Sequence, residues 1–84
     1  MMYEVRWSRE ALQDLRALER LIADRITRKM EWYCQQTKPL RHAEPLTGTY
    51  TGVYRFRVGA YRVLFEVDPR GHLHVLLVLR VKHR

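Results

Sequence analysis

Residues 52–67, GVYRFRVGAYRVLFEV, alternate in character with a period of two on both sides of a Val-Gly-Ala step. That period belongs to strands with one buried face, and Gly59-Ala60 reads as a tight turn between them, so the stretch is a β-hairpin. Successive side chains point to opposite faces of a strand. Tyr54, Phe56 and Val58 therefore share one face, and Val53, Arg55 and Arg57 share the other. In the second strand Tyr61, Val63, Phe65 and Val67 fall together and leave Arg62, Leu64 and Glu66 opposite. With the aromatic face on the core, Arg55, Arg57 and Arg62 converge on the face the core does not use.

Working outward, DPRG at 68–71 is a turn signal and residues 72–81 read as a third strand, which completes an antiparallel meander. Upstream, residues 3–7 alternate Tyr, Val and Trp with Glu4 and Arg6, the pattern of a short strand. Ser8 then stands at an N-cap position, with Glu10 in the first turn of a helix. Residues 11–36 contain no Gly or Pro, and Leu12, Leu15, Leu18, Ile22, Ile26, Met30 and Tyr33 recur at spacings of three and four. This is a helical apolar stripe, on one long helix or on two joined near residues 18–20. A single span would be about twice the average helix length. Residues 37–48, TKPLRHAEPLTG, hold two prolines and a glycine and read as the chain's one real loop. Trp7, Trp32 and Tyr33 read as core residues rather than base-stacking platforms. The order strand, helical segment, three strands implies an α+β domain, with the helical face laid on one side of the sheet and the other side open.

With 84 residues, the chain has room for one domain, 1–84, and one modest core. A hydrophobic fraction of 46% excludes a wholly disordered chain. Sixteen Lys and Arg against nine Asp and Glu give a net charge of +7, so a polyanion is the natural partner: nucleic acid, an acidic protein or an anionic membrane surface. Cys34 is the only cysteine, which excludes an internal disulfide and suits an intracellular protein. No stretch approaches the roughly 20 apolar residues of a membrane span, and a cytoplasmic location is expected.

A guanidinium presents a planar fork of donors that matches phosphate oxygens, and several together can neutralise extra charge on a phosphate in a transition state. Arg55, Arg57 and Arg62 suit that task. The alternative is a solvated face in which Arg57 or Arg62 pairs with Glu44 or Glu66. At the C-terminal end Arg80, Lys82 and Arg84 share a face by alternation, and His83 turns the other way if the strand persists. Histidine is the side chain suited to moving a proton in either direction near neutrality. The histidines lack the spacing of a metal site, and there is no glycine-rich phosphate loop, nucleophile elbow or paired-carboxylate signature. No cofactor is expected.

Three segments, YEVRWSREALQDLRAL (3–18), PLTGTYTGVYRFRVGAYRVLFEV (45–67) and VLLVLRVKHR (75–84), together resemble toxins of the RelE/ParE superfamily, on the RelE side. The most specific element is PLTG followed by YRFRVGAYRVLFEV. The resemblance implies two antiparallel helices packed on a twisted antiparallel sheet, which favours a helical hairpin over one long helix. It also implies a ribosome-dependent endoribonuclease that cuts mRNA in the ribosomal A site without a metal, by attack of the ribose 2′-hydroxyl on the adjacent phosphate. A cognate antitoxin is the implied protein partner. Carried over by position, the family's basic pair falls on Arg55 and Arg57, its phosphate-stabilising arginine on Arg62, and its C-terminal basic residue on Arg84, with His83 beside it; Arg80 and Lys82 add RNA contacts. Some relatives have lysines at the positions of Arg55 and Arg57. Arginine, with a pKa above about 12, is a poor general base, so these two act by charge and position, and proton transfer falls to His83, Arg84 or ribosomal RNA. RelE-like toxins usually continue into a short tail bearing a tyrosine, whereas this sequence stops at Arg84. On the same fold, inhibition of DNA gyrase in the manner of ParE, and a non-toxic relative that mainly binds its antitoxin, are the alternatives.

Overall fold

The computed structural model describes residues 3–67 and 75–84. In chain order the elements are β1 (Glu4–Trp7), α1 (Arg9–Arg16), α2 (Arg20–Cys34), β2 (Glu44–Pro45), β3 (Val53–Val58), β4 (Tyr61–Val67) and β5 (Val75–His83). The strands form one sheet in the order β1-β5-β4-β3-β2. The expected α+β architecture, two helices on one side of a sheet that ends in a meander, is what the chain adopts. The sheet is mixed rather than wholly antiparallel, because β1 joins β5 in parallel, Glu4 opposite Val75 through Trp7 opposite Val78. The segment expected to be a plain loop at 37–48 contains a 3-10 turn at Pro39–His42 and the strand β2, which pairs with β3 through Glu44 opposite Arg55. The expected turn at 68–71 and residues 72–74 of the last strand lie outside the described residues. That strand runs beyond Val81, to His83.

The chain breaks its helix at residues 17–19, which settles the two-helix alternative. Ser8 caps α1 as expected: its hydroxyl accepts from the Ala11 N–H at 3.1 Å. The break changes the phase of the apolar stripe between the helices. Ala11 is fully buried on α1 while Leu12 remains 37% exposed; Ile26, Met30 and Tyr33 carry the core face of α2. Trp32, expected in the core, is 43% exposed, because it lies one position off that face. No described helix is long and apolar enough to cross a membrane.

The core is built on stacked rings. Tyr33 of α2 lies flat on Phe56 of β3 at 3.9 Å between ring centres, and Phe56 stacks on Phe65 of β4 at 4.4 Å. Both phenylalanines are fully buried, so replacing either with alanine is expected to cost about 3–5 kcal/mol. Val58, Val63, Leu76, Val78 and Val81 fill the same layer. Gly59, at φ +60°, takes the first central position of the β3–β4 turn. Its positive φ and its place in a two-residue hairpin connection identify a type II′ turn, whose twist matches the strands it joins.

β5 changes neighbours halfway along. Its first half pairs with β1, and Ser8 extends that ladder by donating its N–H to the Val78 carbonyl at 2.9 Å. Beyond this point β1 has ended, and α1 covers the edge. The Ser8 hydroxyl donates to the Leu79 carbonyl at 3.0 Å, and the Asp14 carboxylate accepts the Val81 N–H at 2.8 Å. At the changeover the β4–β5 register slips by one residue: Leu64 faces Arg80 but Phe65 faces Val78, leaving Leu79 as the extra residue of a bulge. The bulge explains why Val78 and Val81, three apart, are both buried.

Arg80 donates to the two oxygens of Asp14 at 2.8 and 3.1 Å. This contact leads the influences that hold the Asp14 carboxyl below its ordinary value, ahead of the Val81 N–H and the charge of Lys82; burial opposes them. The folded pKa therefore lies below the unfolded one, about 3.9. Stabilisation from Asp14 is complete above the unfolded value and is lost as pH falls through the folded one. Asp14→Leu, which strands the Val81 N–H, is expected to cost roughly 1–3 kcal/mol in urea unfolding at neutral pH. Asp14→Asn, which still offers an acceptor, should lose less and should flatten the acid limb of stability against pH. Equal losses in both variants would show that the N–H contact contributes nothing.

Candidate phosphate-binding face

The meander brings the predicted cations into line. Arg57 of β3 stands directly opposite Arg62 of β4, and Arg62 directly opposite Lys82 of β5. Neighbouring strands lie about 4.8 Å apart, so this row places three cations within about 10 Å on the face away from the helices. Among the described residues Arg62 and Lys82 have no carboxylate partner. Like charges directly opposite across strands are destabilising, and this sheet tolerates two such pairs in succession.

The next row is Glu44, Arg55, Leu64 and Arg80. Here the alternative weighed from the sequence, an arginine paired with Glu44, is realised twice. One oxygen of Glu44 accepts from Arg55 Nη2 at 2.8 Å and the other from Arg57 Nε at 2.8 Å. The Arg55 hydrogen bond first, then the charges of Arg55 and Arg57, hold the Glu44 carboxyl below its ordinary value, and desolvation opposes them. Arg55 is the less exposed of the two arginines, its side chain 21% accessible against 59% for Arg57. Its Nε is buried without a partner among the described residues, so the clamp leaves one strong donor unsatisfied.

The remaining predicted residues divide. Arg80 is held by Asp14 at the strand edge. His83 remains in strand, opposite Tyr61, and meets that ring edge-on at 5.0 Å, on the side of the sheet opposite Arg62 and Lys82. Its Nδ1 lies 3.0 Å from the Arg84 carbonyl. Arg84 anchors the chain end by donating its N–H to the Ala60 carbonyl at 2.7 Å, and its side chain is exposed. Arg55, Arg57, Arg62 and Lys82 are thus assembled on one face; Arg80 shares that face but its guanidinium is taken by Asp14, and His83 lies on the other side of the sheet.

Two features of this face go beyond the linear reading. That reading offers Glu44 as a partner for Arg57 but not for Arg55, and the strand of Glu44 is two residues long, too short to show a period. Beside the cationic row lies an apolar depression of about 320 Å³, walled by Leu46, Tyr50, Val53, Leu64 and Leu79 and closed by Arg80 and Lys82. It draws on three separate stretches of chain, so no local pattern announces it.

Comparison with known proteins agrees with this fold. Residues 5–84 match the family described as ParE toxin of the type II toxin-antitoxin system, parDE. The chain is 33% identical to toxin RelG of Mycobacterium tuberculosis over its whole length, which covers 93% of that protein. It superposes on a chain of the M. tuberculosis toxin-antitoxin complex RelBE2 with a TM-score of 0.82, 30% identity and full coverage of both chains. It superposes on a chain of the RelE-RelB complex of Pyrococcus horikoshii with a TM-score of 0.75 and 26% identity, covering 100% of this chain and 97% of that one. The family match over residues 5–84, and relatives matched from end to end with the same two helices over a sheet, show that the chain belongs to the RelE/ParE superfamily of type II toxin-antitoxin toxins.

Proposed function

We propose that the open face binds the sugar-phosphate backbone of mRNA and that the chain is a ribosome-dependent endoribonuclease acting in the ribosomal A site, in the cytoplasm. The observation behind this reading is the in-register row of Arg57, Arg62 and Lys82. A sheet that places three cations side by side gains when a polyanion crosses it, and guanidinium forks suit phosphate oxygens better than they suit each other. An antitoxin partner is supported by the toxin-antitoxin complexes among the structural relatives, and a strongly basic chain suits an acidic segment.

The chemistry asked of the face is a phosphoryl transfer within RNA. The ribose 2′-oxygen bonds to the adjacent phosphorus, the bond from phosphorus to the 5′-oxygen breaks, and a 2′,3′-cyclic phosphate and a 5′-hydroxyl result. Charge builds on the non-bridging oxygens of the phosphorane. Arg62, without a carboxylate partner among the described residues, is placed to neutralise it, with Arg57 and Lys82 on either side. The 2′-hydroxyl must also lose a proton. Glu44 is the carboxylate in contact with the arginine pair, which lowers its proton affinity; we assign it the proton acceptor once RNA phosphate has drawn the arginines away and restored that affinity. The leaving oxygen takes its proton from the strand end at Arg84 or from ribosomal RNA, because His83 lies on the other side of the sheet from Arg62.

Purified translation with programmed ribosomes and primer-extension mapping tests the assignment. Wild-type protein is expected to produce breaks within the A-site codon, and Arg62→Ala to slow them about 10²–10³-fold while the urea midpoint stays the same or rises. Undiminished cleavage by Arg62→Ala, or loss of the fold, removes Arg62 from the mechanism, and intact mRNA with wild-type protein rejects the ribonuclease. Glu44→Gln separates acceptor from clamp in the same assay. An acceptor predicts a rate loss of about 10²–10⁴ with ribosome binding retained, whereas a clamp predicts unchanged or faster cleavage as Arg55 and Arg57 are released.

A further inference from the structure

A second basic surface lies on the outer side of α2, away from the row of Arg62 and Lys82. Leu21, Arg25, Arg28, Lys29 and Trp32 recur at intervals of four, three, one and three along the helix, and with Arg57, Val58 and Gly59 they line a groove of about 760 Å³. The spacing puts all five on one helical stripe, about 16 Å from Leu21 to Trp32. The stripe is apolar at both ends and cationic in the middle. Leu21 is 77% exposed, an unusual degree for a leucine that nothing in the fold requires to face water.

The cations between are free to meet a ligand. Arg25 lays its guanidinium along the β3–β4 turn, 3.7 Å from where a Cβ on Gly59 would sit. Arg28 reaches only the Asp24 backbone carbonyl, at 3.4 Å, and the Lys29 ammonium rests 4.5 Å from the centre of the Trp32 ring. Among the described residues none of the three has a carboxylate partner.

We infer that this groove docks an acidic protein segment whose carboxylates meet Arg25, Arg28 and Lys29 and whose flanking apolar side chains cover Leu21 and Trp32. The apolar ends choose between polyanions. A nucleic-acid backbone gains nothing from Leu21, and the Lys29 ammonium already occupies a face of Trp32 on which a base would stack. A peptide with apolar residues on either side of a glutamate cluster uses every part of the stripe, and an exposed aromatic beside cations is a common anchor in protein interfaces. The groove shares Arg57 with the open face at its rim, but its α2 stripe does not include Arg62 or Lys82, so its test does not depend on RNA cleavage.

The test uses a fluorescent synthetic peptide with glutamates at its centre and leucines at both ends, and a uridine oligonucleotide as the competing chemistry, each titrated into the full chain. Arg25→Glu/Arg28→Glu is expected to weaken peptide binding about tenfold or more, and Leu21→Ala about fivefold. The charge-matched Arg9→Glu/Arg16→Glu on α1 should change it less than about threefold, a residual effect of net charge. Arg62→Ala should leave peptide binding intact even if it abolishes cleavage. Equal losses in the two double variants would reduce the groove to net charge and overturn the inference. So would absence of peptide binding, or indifference to Leu21→Ala together with loss of oligonucleotide binding in Arg25→Glu/Arg28→Glu. Arg25→Ala/Arg28→Ala serves as the readout if charge reversal impairs folding.

Discussion

Phe56 and Phe65 stack beneath Tyr33, and the orientation of every other side chain on β3 and β4 follows from that contact. A pleated strand alternates strictly. Once Phe56 faces the helices, Arg55 and Arg57 must face away, and once Phe65 does, so must Arg62. A slip of one residue in either strand would put a guanidinium into the core, where an unpaired charge is prohibitively costly. The aromatic stack therefore fixes the register of the hairpin and, with it, the direction in which the cations point. Core and candidate site are two faces of one constraint.

The same logic reaches β5 by a different device. Strict alternation from Leu76 and Val78 would turn residues 80 and 82 inward, yet Arg80 and Lys82 are exposed and Val81 is buried. The bulge at Leu79 inverts the parity of the strand at the point where α1 replaces β1 as its neighbour. Asp14 then accepts the Val81 N–H and the Arg80 guanidinium together, which closes an edge that would otherwise expose an unpaired donor to other chains. Arg80 contributes to the fold at that edge, and Lys82 is left to complete the row with Arg62 and Arg57.

Charge is distributed unevenly for a reason that local energetics does not supply. Glu44 neutralises one side of the arginine cluster, while Arg62, Lys82 and the α2 cations Arg25 and Lys29 have no acid to meet among the described residues. Folding alone would favour interspersed signs. Surfaces that retain like charges in register are suited to meet a polyanion, and here there are two, one flat across the sheet and one grooved beside a helix.

Much of this was legible in one dimension. The hairpin, the capped helix, the α+β order and the outward direction of Arg55, Arg57 and Arg62 follow from periods of two and of three to four, because burial of one face imposes those periods on any sequence that folds this way. The two-residue β2 is too short to have a period. The parallel pairing of β1 with β5 joins chain ends some seventy residues apart, and the exposure of Trp32 depends on how α2 is rotated against the sheet. The register that sets Arg57, Arg62 and Lys82 in one row and brings Glu44 to the arginine pair is likewise a matter of which strands meet and where. A sequence determines which way its side chains alternate. Which of them become neighbours is decided only when strands pair and helices pack, since that choice minimises the energy of the whole chain rather than of any segment.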